Sequence, residues 1–170
     1  MKKKLVSCFF VITAVLFSCE KQGDNTASGD VVINELMPVN STTVADQNGQ
    51  YDDWMELYNK SFNSIDLSGY YLSDDKKKNM KWKFPEGVSI QGNGYLIIWA
   101  DDDTTQSGLH ANFKLSSAGE DAVLSRADGK IIDQVSFPAQ TLELSYSRIP
   151  NGTGEFKWRI PTFNRNNDAR

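Results

Sequence analysis

Ala122-Val123-Leu124-Ser125-Arg126-Ala127-Asp128-Gly129-Lys130-Ile131-Ile132-Asp133-Gln134-Val135-Ser136-Phe137 decides the class of fold. Two β-like runs, Ala122 to Leu124 and Lys130 to Phe137, flank Asp128-Gly129. Asp-Gly suits the positive φ angles of a two-residue type I′ turn, so the stretch predicts a β-hairpin with that turn at its tip.

Outward from the hairpin the same pattern of short apolar runs and turn residues continues in both directions. Val31 to Met37, Trp54 to Tyr58, Tyr70 to Leu72, Lys81 to Phe84, Tyr95 to Ala100, Asn112 to Leu115 and Ser145 to Ile149 are further strand candidates. Asn48-Gly49, Ser68-Gly69, Glu86-Gly87, Gly92-Asn93-Gly94, Ala118-Gly119 and Asn151-Gly152 punctuate them as turns. No run sustains the three-and-four spacing of a helix, and this density of short strands predicts an all-β sandwich or barrel. Residues 31–164 have the common size of one domain, with 165–170 left as a polar C-terminal tail. Trp54, Leu57, Trp82, Phe84, Ile97, Trp99, Phe113, Leu115, Val123, Ile131 and Val135 are the side chains expected to fill the space between sheets.

The N-terminal residues read differently. Lys2, Lys3 and Lys4 precede an apolar run from Leu5 to Phe17 that ends in Ser18 and Cys19. That is the layout of a secretory signal, and as a helix the run spans only about 20 Å, short of a ~30 Å hydrocarbon core. Leu16-Phe17-Ser18-Cys19 resembles the lipobox of bacterial lipoproteins. The resemblance implies a signal over 1–18, cleavage before Cys19 and acylation of that cysteine. Residues 19–30 contain no large apolar side chain and read as a flexible tether. The two cysteines are Cys8, inside the signal, and Cys19, so the remaining domain has no disulfide to rely on and its core must hold it. The whole chain carries 18 Lys and Arg against 22 Asp and Glu; removing Lys2 to Lys4 leaves 15 against 22, a net of −7. Such a balance disfavours nucleic acid as a partner.

Ile33-Asn34-Glu35, then Asp53-Trp54-Met55-Glu56-Leu57-Tyr58-Asn59, then Asp66-Leu67-Ser68-Gly69-Tyr70-Tyr71-Leu72-Ser73-Asp74 follow one another in a fixed order. Trp82-Lys83-Phe84-Pro85, Gly94-Tyr95-Leu96-Ile97, Asn112-Phe113-Lys114-Leu115, Gly119-Glu120, Asp133-Gln134-Val135 and Arg148-Ile149-Pro150-Asn151-Gly152 complete the series. In this order and spacing the motifs resemble a lamin tail domain. The resemblance implies an immunoglobulin-like antiparallel β-sandwich, and in bacteria it resembles modules of exported proteins. The chain has no heptad rod and no basic localisation run, so nuclear scaffolding does not transfer, and fold likeness alone names no function.

Chemistry-bearing residues are few. There is no Gly-x-Ser-x-Gly elbow and one histidine, His110, which reads as a packing or hydrogen-bonding residue. Glu35 and Glu56 lie on strands expected to be neighbours and are the only candidates for an acid and base pair of a hydrolase. Asp46, Asn48, Asp52 and Asp53 gather hard oxygen atoms around Gly49, and Asp101, Asp102 and Asp103 form a second cluster, so the 38–53 and 101–111 loops are the candidate Ca²⁺ loops. Tyr51, Tyr70, Tyr71 and Trp158 are the rings that would stack a sugar if exposed. Asn40, Asn59 and Asn151 open Asn-x-Ser/Thr matches. The expectation that emerges is a non-catalytic, lipid-anchored envelope protein, on the outer membrane or the cell surface, binding an envelope protein or glycan and needing no cofactor. A Ca²⁺-dependent or carbohydrate-binding module is the alternative, and a carboxylate hydrolase the third choice.

Overall fold

The computed structural model describes residues 29–140 and 143–169; the expected signal over 1–18, Cys19 and the tether up to residue 28 lie outside the described residues. In chain order the strands are β1 (Val31–Met37), β2 (Trp54–Asn59), β3 (Ile65–Asp66), β4 (Tyr71–Ser73), β5 (Trp82–Lys83), β6 (Ser89–Ile90), β7 (Tyr95–Ala100), β8 (His110–Ala111), β9 (Gly119–Ser125), β10 (Ile131–Pro138), β11 (Ser145–Ile149) and β12 (Glu155–Arg159). Among the described residues there is no helix. A six-stranded sheet in the order β12-β11-β1-β2-β7-β8 faces a four-stranded sheet in the order β10-β9-β4-β5, and β3 pairs with β6 beside them. The pairings are antiparallel except for β7 with β8. The architecture is the immunoglobulin-like β-sandwich that the motifs implied.

Between the sheets lie Ile33, Leu36, Met55, Leu57 and Ile98 from one side and Leu72, Trp82, Ala122, Leu124 and Phe137 from the other, with Phe84, Phe113 and Leu115 joining them. Alternation explains a correction to the expected core. Met55 and Leu57 point inward, so Trp54 and Glu56 must point to the opposite face of β2. Trp54, Ile97 and Trp99 accordingly form a second cluster with Met37, Val44 and Phe163 on the outer face of the six-stranded sheet. Val123 is buried but alternates away from Ala122 and Leu124, outside the main cluster, and Ile131 is only half-buried. The Asn112 to Leu115 stretch is not a strand; pairing with β7 occurs at His110–Ala111, and Lys114 makes an isolated bridge to Asp101.

The hairpin at Asp128-Gly129 is present, joining β9 to β10, but with a different turn. Gly129 N donates to Arg126 O at 2.9 Å and Arg126 N to Lys130 O at 2.9 Å. Gly129 has φ of +80° while Asp128 stays out of the left-handed region. This is a three-residue connection with glycine at the left-handed position, not a two-residue type I′ turn. Asp128 Oδ1 accepts from Lys130 N at 3.0 Å, which uses the aspartate as a local cap.

A β-bulge shapes β1. Ile33 pairs with Leu57 and Glu35 with Glu56, so Asn34 is an extra residue. The pairing of β1 with β11 stops at Glu35 and Ser147, and side chains take over beyond it. Asp133 Oδ2 accepts from Ile33 N at 2.8 Å, and Arg148 Nε donates to Ile33 O at 2.8 Å. Arg148 Nη2 also reaches both oxygens of Asp133 at 2.9 Å. Asp133 comes from the four-stranded sheet and Arg148 from the six-stranded one, so this pair clips the sandwich together at the bulge.

Candidate functional site

The bulge places Asn34 and Glu35 against Glu56 on the outer face, and all three are fully buried. The cover is the chain after β12. Thr162 N donates to Glu35 Oε1 at 2.9 Å and Asn164 N to Glu56 Oε2 at 2.6 Å, while Asn34 Nδ2 donates to Glu56 Oε1 at 2.9 Å. Phe163, between those two amides, places its ring edge-on to Trp54 with centroids 5.1 Å apart. Phe163 and Asn164 take φ of +37° and +58°, a backbone shape in which the alternate amides of Thr162 and Asn164 meet the carboxyls.

The polar segment expected to trail the domain as a tail over 165–170 is instead anchored to it through Asn167. Asn167 is buried, and its Nδ2 donates to Asn34 O at 3.0 Å and to Arg148 O at 3.1 Å. That fixes Asn167 Oδ1 as an acceptor, 2.7 Å from Thr162 Oγ1. Thr162 Oγ1 is also 2.6 Å from Glu35 Oε2. The Thr162 hydroxyl thus bridges the Glu35 carboxyl and the Asn167 side chain. Burial, followed by the neighbouring Glu35 charge, pushes Glu56 up to about 8 against the hydrogen bonds from Asn34 and Asn164. Glu35 and Glu56, whose separation the sequence leaves open, are register partners on β1 and β2. Each of their oxygens is engaged by the protein and none faces solvent, so the pair serves as a dock for the C-terminal segment.

The second cluster of interest is where the 38–53 and 101–111 loops meet. Asn40 holds the first loop, its Nδ2 donating to Val44 O at 2.6 Å and Asp52 O at 2.8 Å. Gln47 reaches Ser107 O and His110 Nε2, Asn48 reaches Gln106, and Gln106 Nε2 donates to Gln50 Oε1 at 2.7 Å. His110 Nδ1 lies 2.6 Å from Asp101 Oδ2 with both side chains buried, so the histidine joins the two ends of its own loop. Asp46 Oδ1 accepts from Asn48 N and Gln50 N, both at 2.8 Å. Asp46 Oδ2 and Asp52 Oδ2 are buried and have no hydrogen-bond partner.

These loops carry the sequence-named acids to different fates. Burial, then the charges of Asp101 and Asp46, raise Asp52, with Lys114 and His110 opposing them. Burial raises Asp53 to about 7 against the Leu115 amide and Lys114. Asp102 is exposed, and Asp103 is held low by hydrogen bonds from Thr105. Among the described residues no group of three or more Asp, Glu, His or Cys side chains is arranged to hold a metal ion.

The aromatic candidates do not assemble into a platform. Tyr51 is exposed in its loop, Tyr70 belongs to the main core, Tyr71 lies on the four-stranded sheet and Trp158 lies tilted against Tyr146 with centroids 4.8 Å apart. The three Asn-x-Ser/Thr asparagines have their amide nitrogens engaged: Asn40 as above, Asn59 on Asn63 O at 2.7 Å, and Asn151 on Tyr95 Oη at 3.2 Å. Thr162, Asn164 and Asn167 are the residues that sequence reading missed, because a run of polar side chains carries no periodic signal of burial.

The fold and its covered outer face define an immunoglobulin-like β-sandwich domain. The lamin tail domain model matches residues 24–139, and the chain belongs to that family. The matched residues end at β10, so β11, β12 and the docked C-terminal segment complete the six-stranded sheet beyond them. No curated protein matches the chain.

Proposed function

We propose that this chain is a non-catalytic, lipid-anchored protein of the bacterial envelope, whose sandwich presents the paired 38–53 and 101–111 loops as a binding face for a basic surface of another envelope protein. One observation carries the reading: both loops leave the end of the sandwich opposite the tether. The tether enters at Val31, and the first loop leaves β1 after Met37, about 20 Å further along the strand. Strand β7 pairs antiparallel to β2, and β2 antiparallel to β1, so β7 runs alongside β1 in direction and delivers the second loop to the same end. With acyl chains on Cys19, that end points away from the membrane.

Loops pinned to each other on a rigid scaffold suit recognition. Asp102, which is exposed, and Asp103, whose carboxyl Thr105 holds low, give this face its sign. A hydrolase reading loses its carboxylates, because Glu35 and Glu56 are sealed under residues 162–167. A sugar reading lacks a shared aromatic surface.

Two measurements test the proposal. Acyl labelling in the bacterium is expected on the native chain and absent from Cys19→Ala. A photo-crosslinking residue at Thr104, in the distal loop, is expected to trap a discrete partner, whereas one at Phe62, exposed at the tether end, is not. Label retained on Cys19→Ala removes the anchor, and identical adducts from both positions, or none from Thr104, remove the binding face.

A further inference from the structure

The geometry points to a hard divalent cation, Ca²⁺ in chemical class, held between Asp46 and Asp52 on the loop face. Asp46 is 8% exposed, and its two carboxyl oxygens have unlike surroundings. Oδ1 gathers the amides of Asn48 and Gln50 and so shapes the turn around Gly49. Oδ2 is buried with no donor, and Asp52 Oδ2, from the other end of the same turn, is also buried with no donor. A buried carboxylate oxygen left without a donor is unfavourable. Asp101 and Asp46 both act on Asp52 as like charges. Water can donate to these oxygens but cannot offset their charge. A cation does both.

The donor set also selects the ion. Every available atom is oxygen, and His110 has both ring nitrogens engaged by Asp101 and Gln47. That suits Ca²⁺ and not a transition metal. The chain supplies two carboxylates instead of a three-residue cluster. The rest of a shell of about six to eight oxygens then comes from loop carbonyls and water, which places the affinity in the weak range of extracellular Ca²⁺ modules, about 0.1–1 mM. The role of the ion in recognition rests on the binding-face reading above; its binding does not, and is measured without any partner.

The test uses the full chain in detergent with Tb³⁺ and Ca²⁺ as probes. Trp54 follows Asp52 by two residues and packs with Trp99 at this end of the sandwich, so bound Tb³⁺ is expected to show tryptophan-sensitised emission that Ca²⁺ displaces and K⁺ does not. At free Ca²⁺ ten times Kd the unfolding constant is expected to fall by about 11-fold, read as a rise in Tm. Asp46→Asn and Asp52→Asn each keep Oδ1 and place an amide where Oδ2 was, so the turn is retained while both responses are lost. If Asp46→Asn does not fold by circular dichroism, Asp52→Asn decides alone. No emission and no Tm shift in the native chain at about 10 mM Ca²⁺, above the weak module range, overturns the site. So does emission that survives in Asp52→Asn. A native chain that binds no Ca²⁺ while crosslinking from Thr104 is intact would overturn the cation and leave the binding face standing.

Discussion

Glu35 and Glu56 stand directly opposite each other in the β1–β2 register, both fully buried, and each receives a backbone amide from the same C-terminal segment. Two carboxyls placed so closely away from water do not both ionise readily. Burial, with the Glu35 charge beside it, accordingly raises Glu56 to about 8.

Stability should fall as pH rises. The folded value for Glu56, about 8, lies above its ordinary 4.5, so between these the folded chain holds a proton that the unfolded chain has released. The slope for one proton approaches ~1.4 kcal/mol per pH unit and flattens above the folded value. Asp53, raised from 3.8 to about 7, adds a contribution of the same sign that is complete at lower pH. Urea denaturation across this range on the native chain and on Glu56→Gln is the check. The variant should lose the part of the slope nearest pH 8, and an unchanged slope there would rule out Glu56 as the holder of the proton.

Thr162 supplies both its amide and its hydroxyl to Glu35. Thr162→Val keeps the amide but removes the hydroxyl that bridges Glu35 Oε2 and Asn167 Oδ1, so a loss of about 1–3 kcal/mol is expected in chemical denaturation. Thr162→Ser should recover most of it. Equal stability for the valine and serine variants would mean that the hydroxyl bridge contributes little.

Phe163 lies edge-on to Trp54 and 5.8 Å from the Trp99 ring. Phe163→Ala should uncover that cluster, cost about 1–3 kcal/mol and shift tryptophan emission to the red. Unaltered emission would show that the segment docks without its aromatic ring.

Much of the sandwich was legible because its strands are short and strongly punctuated. Val31–Met37 and Tyr95–Ala100 have the limits that their apolar runs suggest. On β2 both faces are buried, so Trp54 and Leu57 could be assigned to one core although alternation sends them to opposite sides. The pairs β3 and β6 are two residues long and leave no period to read. β12 did carry a signal: Glu155-Phe156-Lys157-Trp158-Arg159 alternates strictly after the Asn151-Gly152 turn. The loop acids were recognisable as clusters, but which oxygens would be buried without donors depends on packing between loops more than 50 residues apart, as the Gln50–Gln106 hydrogen bond illustrates.

Arg148 and Asp133 offer the sharpest test of how the two sheets are joined. The guanidinium spends Nε on Ile33 O, Nη1 on Gly154 O at 3.2 Å and Nη2 on Asp133, while Asp133 Oδ2 also accepts from Ile33 N. It lies 4.5 Å from the Phe156 ring centroid as well. A lysine keeps the charge but has no planar fork, so it cannot serve three acceptors in these directions. Arg148→Lys is therefore expected to cost about 1–3 kcal/mol even though the pair is partly solvent-exposed. Asp133→Asn keeps one acceptor for Ile33 N and should cost less. Because both residues repair the same bulge, their effects should not add: a double-mutant cycle is expected to give a coupling of about 0.5–3 kcal/mol. Additive losses would mean that Arg148 acts through the Phe156 stack and the Gly154 carbonyl, and that the bulge closes without the pair.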